Sequence, residues 1–357
     1  MGRDLEMSES QASPSQSLSM KNALHRIADG GRLSAAEAES TFDMFMEGTA
    51  SPAQMSALLT AFRVRGVLPV EVAGGVRALR KAMVRVDSEA TDQLVDTCGT
   101  GGGSVTTFNI STAAALVASG AGVRIAKHGN RSFTSRSGSA DVLEALGVRI
   151  ELTPEEMASV LKEVGLVFMF APLLHPAMRH VGPVRRELGF PTVMNILGPL
   201  TNPAGVGRQL VGVADPSLVS LVVEALRELG HTHALVVHGD PGMDEVSPMG
   251  PTLVAELVNG DVAERTVSPE DFVMKPCSAD ELAGGEPEEN AQVIMSVLQG
   301  DQQGGARSAV LLNAGAAIYV SGAADTLEAS VKLAEQALDE GKALEALELL
   351  RTATRVP

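Results

Sequence analysis

Helical punctuation begins near residue 20. Ser34 and Glu37 have the spacing of a capping box, in which the N-cap hydroxyl and the third-position carboxylate exchange hydrogen bonds with each other's backbone N–H. Ser51, Pro52 and Gln54 supply a cap, a first-turn proline and the reciprocal partner. Pro69 opens a further helical run through Val70, Val72 and Val76. Nothing between residues 20 and 85 reads as a strand, so this stretch predicts a small all-helical unit. The first 19 residues are polar, rich in Ser and Gln and without periodicity, the pattern of a disordered extension.

The period changes near residue 93. Leu94-Val95 is a short apolar run that leads into glycines, and an alanine-rich helix follows from Ser111-Thr112 to Ser119. Val123 to Ala126 reads as a strand, Asp141 to Leu146 as a helix stopped by Gly147, and Thr153-Pro154 with Glu156 as the next helix start. Leu166 to Phe170 reads as a buried strand and Ala234 to Val237 as another, with a helix between, capped at Asp215-Pro216 and ended at Leu229-Gly230. The last 30 residues are helical again, with Asp325 and Glu328 spaced as a capping box. Strands alternating with helices imply right-handed crossovers and a mostly parallel sheet. No repeat of 20–50 residues interrupts this plan. The fold class is therefore α/β: a small all-helical N-terminal domain and a larger α/β domain with a mostly parallel central sheet. The division expected is 1–19 extension, 20–90 helical domain, and 91–172 with 201–357 as the α/β domain. Residues 173–200 hold several prolines and no clear strand. Their pattern leaves two placements open, a return to the helical unit or a long connection.

Composition narrows the functional classes. Hydrophobic residues make up 45% of the 357, enough for a large core, but only 3% are aromatic, so that core must be aliphatic. The formal net charge of −16 repels nucleic acid and anionic membranes. It also repels a polyanionic substrate, so a phosphate site needs positive charge supplied locally. Two cysteines, Cys98 and Cys277, make no disulfide framework and read as free thiols of a reducing, cytoplasmic compartment. No export signal and no run of 18 apolar residues suggests secretion or a membrane span.

Four stretches carry candidate chemistry. The first runs from Asp96 to Thr112, with glycines at 99 and 101–103, after an expected strand and before a helix. Glycines there let several backbone N–H groups converge on an anion, and the helix N-terminus adds partial positive charge. Thr107, Asn109, Ser111 and Thr112 add donors for phosphate or a hydrated cation. A flexible turn capped by Ser111 is the plain alternative. The second is Lys127-His128-Gly129-Asn130-Arg131-Ser132, expected at the carboxyl end of a strand, where ligands of parallel sheets bind. Ser137-Gly138-Ser139 follows and extends a possible anion site; a solvated basic loop is the alternative. The third is Gly242 to Ser247, in which Asp244 and Glu245 suit Mg²⁺ shared with substrate phosphates, or else form an acidic surface turn. The fourth holds His175, His180, Arg185 and Arg186, then Asn195 to Pro203. An arginine of this set is suited to hold a carboxylate through two parallel bonds. His180, and His231 with His233, read as structural.

Taken in order, GTGG…TFNIST, KHGNRS, SGSADVLEALG, HPAM…VRRELG, N-LGPLTNP and GMDEVS resemble the anthranilate phosphoribosyltransferases, which share their fold with the nucleoside phosphorylases. The resemblance covers roughly residues 20 to 350. It implies transfer of a phosphoribosyl group from phosphoribosyl pyrophosphate to the amine of anthranilate, with Mg²⁺ as cofactor, in a cleft between the helical and α/β domains. It also implies a homodimer formed through the helical domain, to which part of residues 173–200 would return. For phosphoribosyl pyrophosphate it implies a site made of Gly99, Gly102, Gly103, Thr107, Asn109, Ser111, Thr112, Lys127, His128, Gly129, Asn130, Arg131, Ser132, Phe133, Thr134, Ser135 and Ser139. Anthranilate would meet Gly99, Asn130 and Arg185, and the metal Ser111, Asp244 and Glu245. No dedicated catalytic nucleophile is implied.

Two positions depart from the family pattern. Gly103 stands where Asp is usual, and Cys98 where an aliphatic residue is common. At Gly103 the expectation is a backbone free to adopt positive φ and to approach a ligand closely. A pyrimidine nucleoside phosphorylase is the nearest rival, and KHGNRS and GMDEVS argue against it. A non-catalytic nucleic-acid-binding relative is a second rival, and the acidic balance argues against that.

Overall fold

The structure, a computed structural model, describes residues 18–132 and 136–355. The expected extension therefore lies largely outside the described residues, as do Phe133, Thr134 and Ser135. Its last two residues belong to the fold. Leu18 packs on the helical core, and Ser19 caps α1 (Met20–Ala28) by accepting from Asn22 N at 3.3 Å.

Helices α2 (Ala35–Met46), α3 (Pro52–Arg65) and α4 (Pro69–Ala82) start where their caps direct, with reciprocal boxes at Ser34–Glu37 and Ser51–Gln54. One buried carboxylate ties the unit together. Glu71 Oε2 accepts from Arg65 Nη2 at 2.6 Å and Leu68 N at 2.8 Å, while Oε1 accepts from Leu33 N at 2.8 Å. A charge taken out of water persists only when satisfied in this way.

The α/β portion follows as β1 (Val95–Gly99), α5 (Ile110–Gly120), β2 (Ile125–Gly129), α6 (Ser139–Ala145), α7 (Pro154–Val164) and β3 (Leu166–Phe170). Residues 173–200 then form three short helices instead of a connection: α8 (Ala171–Leu174), α9 (Met178–Leu188) and α10 (Met194–Leu197). Helix α9 packs on α2 and α3, and α10 on α4, so this stretch returns to the helical unit. The chain continues as β4 (Arg208–Gly212), α11 (Val219–Glu228), β5 (His233–Gly239), β6 (Thr252–Val258) and β7 (Asp261–Val267). Helices α12 (Pro287–Leu298), α13 (Gly305–Ser321), α14 (Leu327–Asp339) and α15 (Lys342–Thr354) complete it.

The seven strands lie in the order β3-β2-β1-β4-β5-β6-β7. The five strands from β3 to β5 are parallel, and β6 and β7 add an antiparallel hairpin. Alternate strand residues feed two cores. Leu210, Leu235 and Val237 join α5 and α13 on one face, while Val211, Val213, Ala234 and Val236 join α11 and the helical unit on the other. No helix among the described residues is long and apolar enough to cross a membrane.

Two local expectations are corrected. Strand β2 starts at Ile125, not Val123, and runs to Gly129, because its register follows β3 from Leu166 to Phe170. Val123 instead turns back on α5, its N–H bonded to Ala118 O at 3.1 Å. Helix α14 is capped by Thr326, whose Oγ1 accepts from Ala329 N at 3.1 Å, not by a box between Asp325 and Glu328. His231 and His233, read as structural, each meet a partner within the fold. His231 precedes β5 with its ring Nδ1 3.2 Å from Leu226 O, and His233 Nε2 lies 3.2 Å from Glu256 Oε1.

Candidate active site

Strand order reverses between β1 and β4: the chain leaves β1 toward β2 and β3, then returns to its other side. Open parallel sheets bind ligands outside the carboxyl ends of the strands at such a switch point. Four strands that meet there, β1, β2, β4 and β5, end in glycine, at Gly99, Gly129, Gly212 and Gly239. Each glycine leaves room for chain that a Cβ would exclude. At Gly99 and Gly212 a Cβ would overlap Asp244, at Gly129 it would overlap Ser139 Oγ, and at Gly239 it would lie 2.6 Å from Glu245 O.

The segment carrying Asp244 and Glu245 thus lies directly across three strand ends. Asp244 Oδ2 accepts from Gly101 N in the glycine loop at 2.8 Å. Glu245 Oε1 accepts from Ser111 N in the first turn of α5 at 3.1 Å. The two carboxylates join the glycine loop to the helix that follows it. Burial raises the pKa of both, and for Glu245 the neighbouring Asp244 charge adds to burial, pushing it up to about 8. Each keeps an accessible edge. Two adjacent, partly buried carboxylates held toward their neutral form, with Ser111 Oγ beside them, make an all-oxygen donor set suited to a hard divalent cation.

Gly99 at the end of β1 and Gly101 and Gly102 in the loop after it are exposed, and the left-handed backbone occurs at Gly101 (φ +69°) and Gly102 (φ +82°). Gly103 does not share it, contrary to expectation. It is set by close approach instead, since a Cβ there would lie 3.0 Å from Gly242 O and 3.5 Å from Asp244 Oδ1. The stretch Thr106–Phe108 pairs with chain around residue 283, Phe108 N donating to Leu282 O at 3.0 Å and Thr107 bridging Ala283.

Asn109 turns inward to hold loops together. Its Nδ2 donates to Ser137 O at 3.1 Å, and its Oδ1 accepts from Ser137 Oγ at 3.1 Å and Asn290 Nδ2 at 2.9 Å. Thr112 is buried. Lys127 is buried as well, its Nζ donating to Thr97 O at 2.6 Å and to Thr97 Oγ1 and Ser111 Oγ, both at 3.2 Å. Burial pulls its pKa down. The ammonium therefore organises β1 and the start of α5, and its charge reaches the site through Ser111.

Asp96, fully buried beneath the loop, accepts from His128 N at 3.1 Å and Gln209 Nε2 at 3.3 Å. Burial raises its pKa to about 6. Asn202, from the LGPLTNP stretch, donates to Ala126 O at 2.8 Å, so that motif braces β2 from below. His128 Nε2 lies 3.2 Å from His175 Nε2, which links the end of β2 to the chain entering α9. Burial lowers both rings, to about 3 and about 4, so near neutral pH both are uncharged and one nitrogen donates to the other.

The loop from Gly129 to Ser132 folds over Ser137-Gly138-Ser139. Asn130 Oδ1 accepts from Arg131 N at 2.7 Å, and Ser139 Oγ donates to Asn130 O at 3.3 Å. Asp141 Oδ2 accepts from Gly138 N at 2.8 Å and Ser132 N at 3.2 Å. Arg131 reaches Asp141 Oδ1 at 2.8 Å and Glu144 Oε2 at 2.5 Å, so its guanidinium braces α6. Phe133, Thr134 and Ser135, expected at the phosphate site, lie outside the described residues. Arg185 lies in the last turn of α9, half-buried, and burial lowers its pKa. Among the described residues no carboxylate pairs with it.

Sequence reading passed over three contributors. Gly212 and Gly239 make room for Asp244 and Glu245, and Asn313 on α13 bonds to the neighbouring Val246. The signal for the glycines, a Gly closing several successive strands, was present in the sequence. Nothing local marked Asn313, which sits 67 residues from its partner.

Comparison with known proteins fits this geometry. A model described as "Glycosyl transferase family, a/b domain" matches residues 91–344, and one described as "Glycosyl transferase family, helical bundle domain" matches residues 21–83. The chain is 55% identical over 329 residues to the anthranilate phosphoribosyltransferase of Rubrobacter xylanophilus, covering 92% of this chain and 96% of that protein. It is 47% identical over 335 residues to that of Symbiobacterium thermophilum, covering 94% and 98%. Among solved structures, the anthranilate phosphoribosyltransferase of Thermus thermophilus superposes with a TM-score of 0.89 at 42% identity, covering 94% of this chain and 99% of that one. The Saccharomyces cerevisiae enzyme in complex with PRPP and Mg superposes with a TM-score of 0.86 at 27% identity, covering 94% and 97%. This chain belongs to the anthranilate phosphoribosyltransferase family.

Proposed function

We propose that this chain transfers the 5-phosphoribosyl group of phosphoribosyl pyrophosphate to the amine of anthranilate, yielding N-(5-phosphoribosyl)anthranilate and pyrophosphate in tryptophan biosynthesis. The observation that carries the reading is the Asp244–Glu245 pair, seated across the ends of β1, β4 and β5 and bonded to Gly101 N and Ser111 N. The direct test is the loss of anthranilate fluorescence on mixing with phosphoribosyl pyrophosphate and Mg²⁺.

The glycine loop from Gly99 to Gly103, the 107–112 stretch and the 127–139 loop form the phosphoribosyl pyrophosphate site, with the Gly102 N–H turned toward the anion while the Gly101 N–H holds Asp244. Asn109, Lys127 and Arg131 act there by holding loops in place. Asp244, Glu245 and Ser111 hold Mg²⁺, which when bound neutralises charge developing on the leaving pyrophosphate. In the reaction the amine nitrogen bonds to ribose C1, the C1–O bond to pyrophosphate breaks with its electron pair, and the amine gives up a proton. An aromatic amine already has a free lone pair near neutral pH, so no strong base is required. The backbone donors serve where charge builds, and the cleft holds amine and C1 together. We assign residues 20–90, with α8 to α10, to the helical domain and the remainder to the α/β domain. A homodimer formed through the helical domain and a cytoplasmic site of action complete the reading.

Arg185, a half-buried guanidinium with no carboxylate among the described residues, suits the anthranilate carboxylate. Arg185→Ala is expected to raise KM for anthranilate roughly 10- to 100-fold, the cost of a lost charged hydrogen bond of about 1.5–3 kcal/mol, while KM for phosphoribosyl pyrophosphate stays near wild type. Steady-state kinetics with each substrate varied decide it. Equal effects on both substrates reassign the residue.

At Gly103, aspartate would bring a third carboxylate beside Asp244 Oδ1, 3.5 Å from the Cβ position. Gly103→Asp is expected to steepen the Mg²⁺ dependence. At limiting Mg²⁺, repulsion of about 1 kcal/mol raises KM for phosphoribosyl pyrophosphate roughly fivefold, and saturating Mg²⁺ removes the difference. KM for anthranilate should not move. Titrations of phosphoribosyl pyrophosphate at several Mg²⁺ concentrations check this. A wild type without turnover, restored by Gly103→Asp, would overturn the functional reading itself.

A further inference from the structure

Helix α13 is buried along almost its whole length by Ala, Val, Leu and Ile, and Asn313, 0% exposed, sits in its middle. Asparagine is a poor choice for a buried helix interior. It disfavours helix relative to alanine, and an unsatisfied carboxamide there is costly. This carboxamide is fully engaged. Asn313 Oδ1 accepts from Val246 N at 2.9 Å, and Nδ2 donates to Val246 O and to Ala309 O, each at 2.9 Å. The bond to Ala309, one turn back on the same helix, fixes the amide plane. The other two grip both backbone polar groups of one residue, as a neighbouring strand would.

That residue immediately follows Glu245. On the other side of the pair, Met243 is held by backbone bonds to Gly239, Met243 N to Gly239 O at 2.7 Å and Gly239 N to Met243 O at 3.0 Å. Between these two clamps stand Asp244 and Glu245 alone. The first clamp is backbone to backbone and is available to most sequences that make this turn. The second depends on one side chain delivered by a helix packed against β1, β4 and β5.

We propose that Asn313 is a positioning residue for the Asp244–Glu245 pair, fixing the backbone beside the carboxylates so that a divalent cation with its phosphate ligand meets them in one geometry. The proposal rests on the functional reading above for the cation held by the pair and for the identity of its phosphate ligand.

Asn313→Leu keeps side-chain size and removes both bonds to Val246. Asn313→Ser is the gentler variant if the first does not fold. Ala317→Gly, one turn further along the same buried helix and with no side-chain bond to Val246, is the control for lost stability alone. Binding of Mn²⁺ in the presence of phosphoribosyl pyrophosphate, read by electron paramagnetic resonance without anthranilate, is compared with the Mg²⁺ concentration giving half-maximal turnover. In the Asn313 variant both are expected to weaken about tenfold, with KM for anthranilate unchanged. In the Ala317→Gly control both should stay at wild-type values although melting temperature falls. Wild-type cation binding in a folded Asn313 variant overturns the proposal, as does an equal loss in a control of matched melting temperature. A wild type that binds Mn²⁺ with phosphoribosyl pyrophosphate but does not consume anthranilate would sink the functional reading, while the Mn²⁺ comparison still decides the role of Asn313. A wild type that binds no Mn²⁺ overturns it.

Discussion

Replacing Asp244 and Glu245 together by alanine is expected to lower turnover by on the order of 10³-fold or more at every Mg²⁺ concentration, since the charge developing on the leaving pyrophosphate loses its counter-charge. The fold should survive. Both carboxylates are buried enough that their pKa values are raised, so in isolation they are a stability cost and not a gain. Their removal leaves Gly101 N and Ser111 N without these acceptors, but both lie at the mouth of the site, where water can replace them. A melting temperature near wild type with turnover gone is the expected pair of results. Activity retained at low Mg²⁺ would make the pair a surface turn, the alternative its sequence left open.

What the sequence made legible divides along physical lines. The helix starts at Ser34, Ser51, Pro69 and Thr153 were readable because a cap is decided within four residues. The strand Leu166–Phe170 was readable because it is buried on both faces and bounded by Gly165. The hairpin of β6 and β7 was not drawn, although Asn259 (φ +49°) and Gly260 (φ +96°) form the two-residue turn that marks such hairpins. The end of β2 was misplaced because Lys127, His128 and Gly129 look like loop residues, and only pairing with β3 makes them strand. The motifs picked out residues that the fold gathers at the strand ends, but not the hydrogen bonds those residues make. Lys127 and Asn109 read as ligand-facing charge and amide, whereas in the fold Lys127 Nζ and Asn109 Nδ2 donate to neighbours inside the protein, and Arg131 holds Asp141 and Glu144 through one nitrogen. Such a bond is set by which neighbour lies within 3 Å, and local spacing carries no record of it. The contacts joining Asp244 to Gly101 span 143 residues, and those joining Asn313 to Val246 span 67. They become visible only once the sheet order is known.

The second large effect is expected from a single methyl group at Gly212. This glycine ends β4, opposite Gly99 of β1, and its carbonyl accepts from Thr100 N at 2.9 Å. Its φ lies outside the left-handed region, so alanine fits its backbone without torsional strain. The obstacle is steric. A Cβ there would overlap the carbonyl oxygen of Asp244, with the Asp244 carbonyl carbon and Cα also in the way. These are backbone atoms and cannot swing aside as the end of a long side chain would. The segment that must move is clamped on both sides, by Gly239 at Met243 and by Asn313 at Val246. Gly212→Ala therefore displaces the carboxylates or splays the end of β4, and overpacking of this kind costs about 1–3 kcal/mol of stability. Because a misplacement of about 1 Å costs roughly 100-fold in rate, kcat/KM for phosphoribosyl pyrophosphate should fall by about that factor. The comparison that separates the two losses is Gly165→Ala, at the C-cap of α7. There φ is +77° and a Cβ would meet nothing within 4 Å. That change strains the backbone, lowering stability by about 1 kcal/mol, but lies away from the strand ends that carry the site. Calorimetric melting should fall in both variants, and kcat/KM only in Gly212→Ala. If Gly212→Ala retains wild-type kcat/KM while Asp244 and Glu245 prove essential, the carboxylates tolerate displacement, and their placement is set by the cation they hold and not by the closeness of β4.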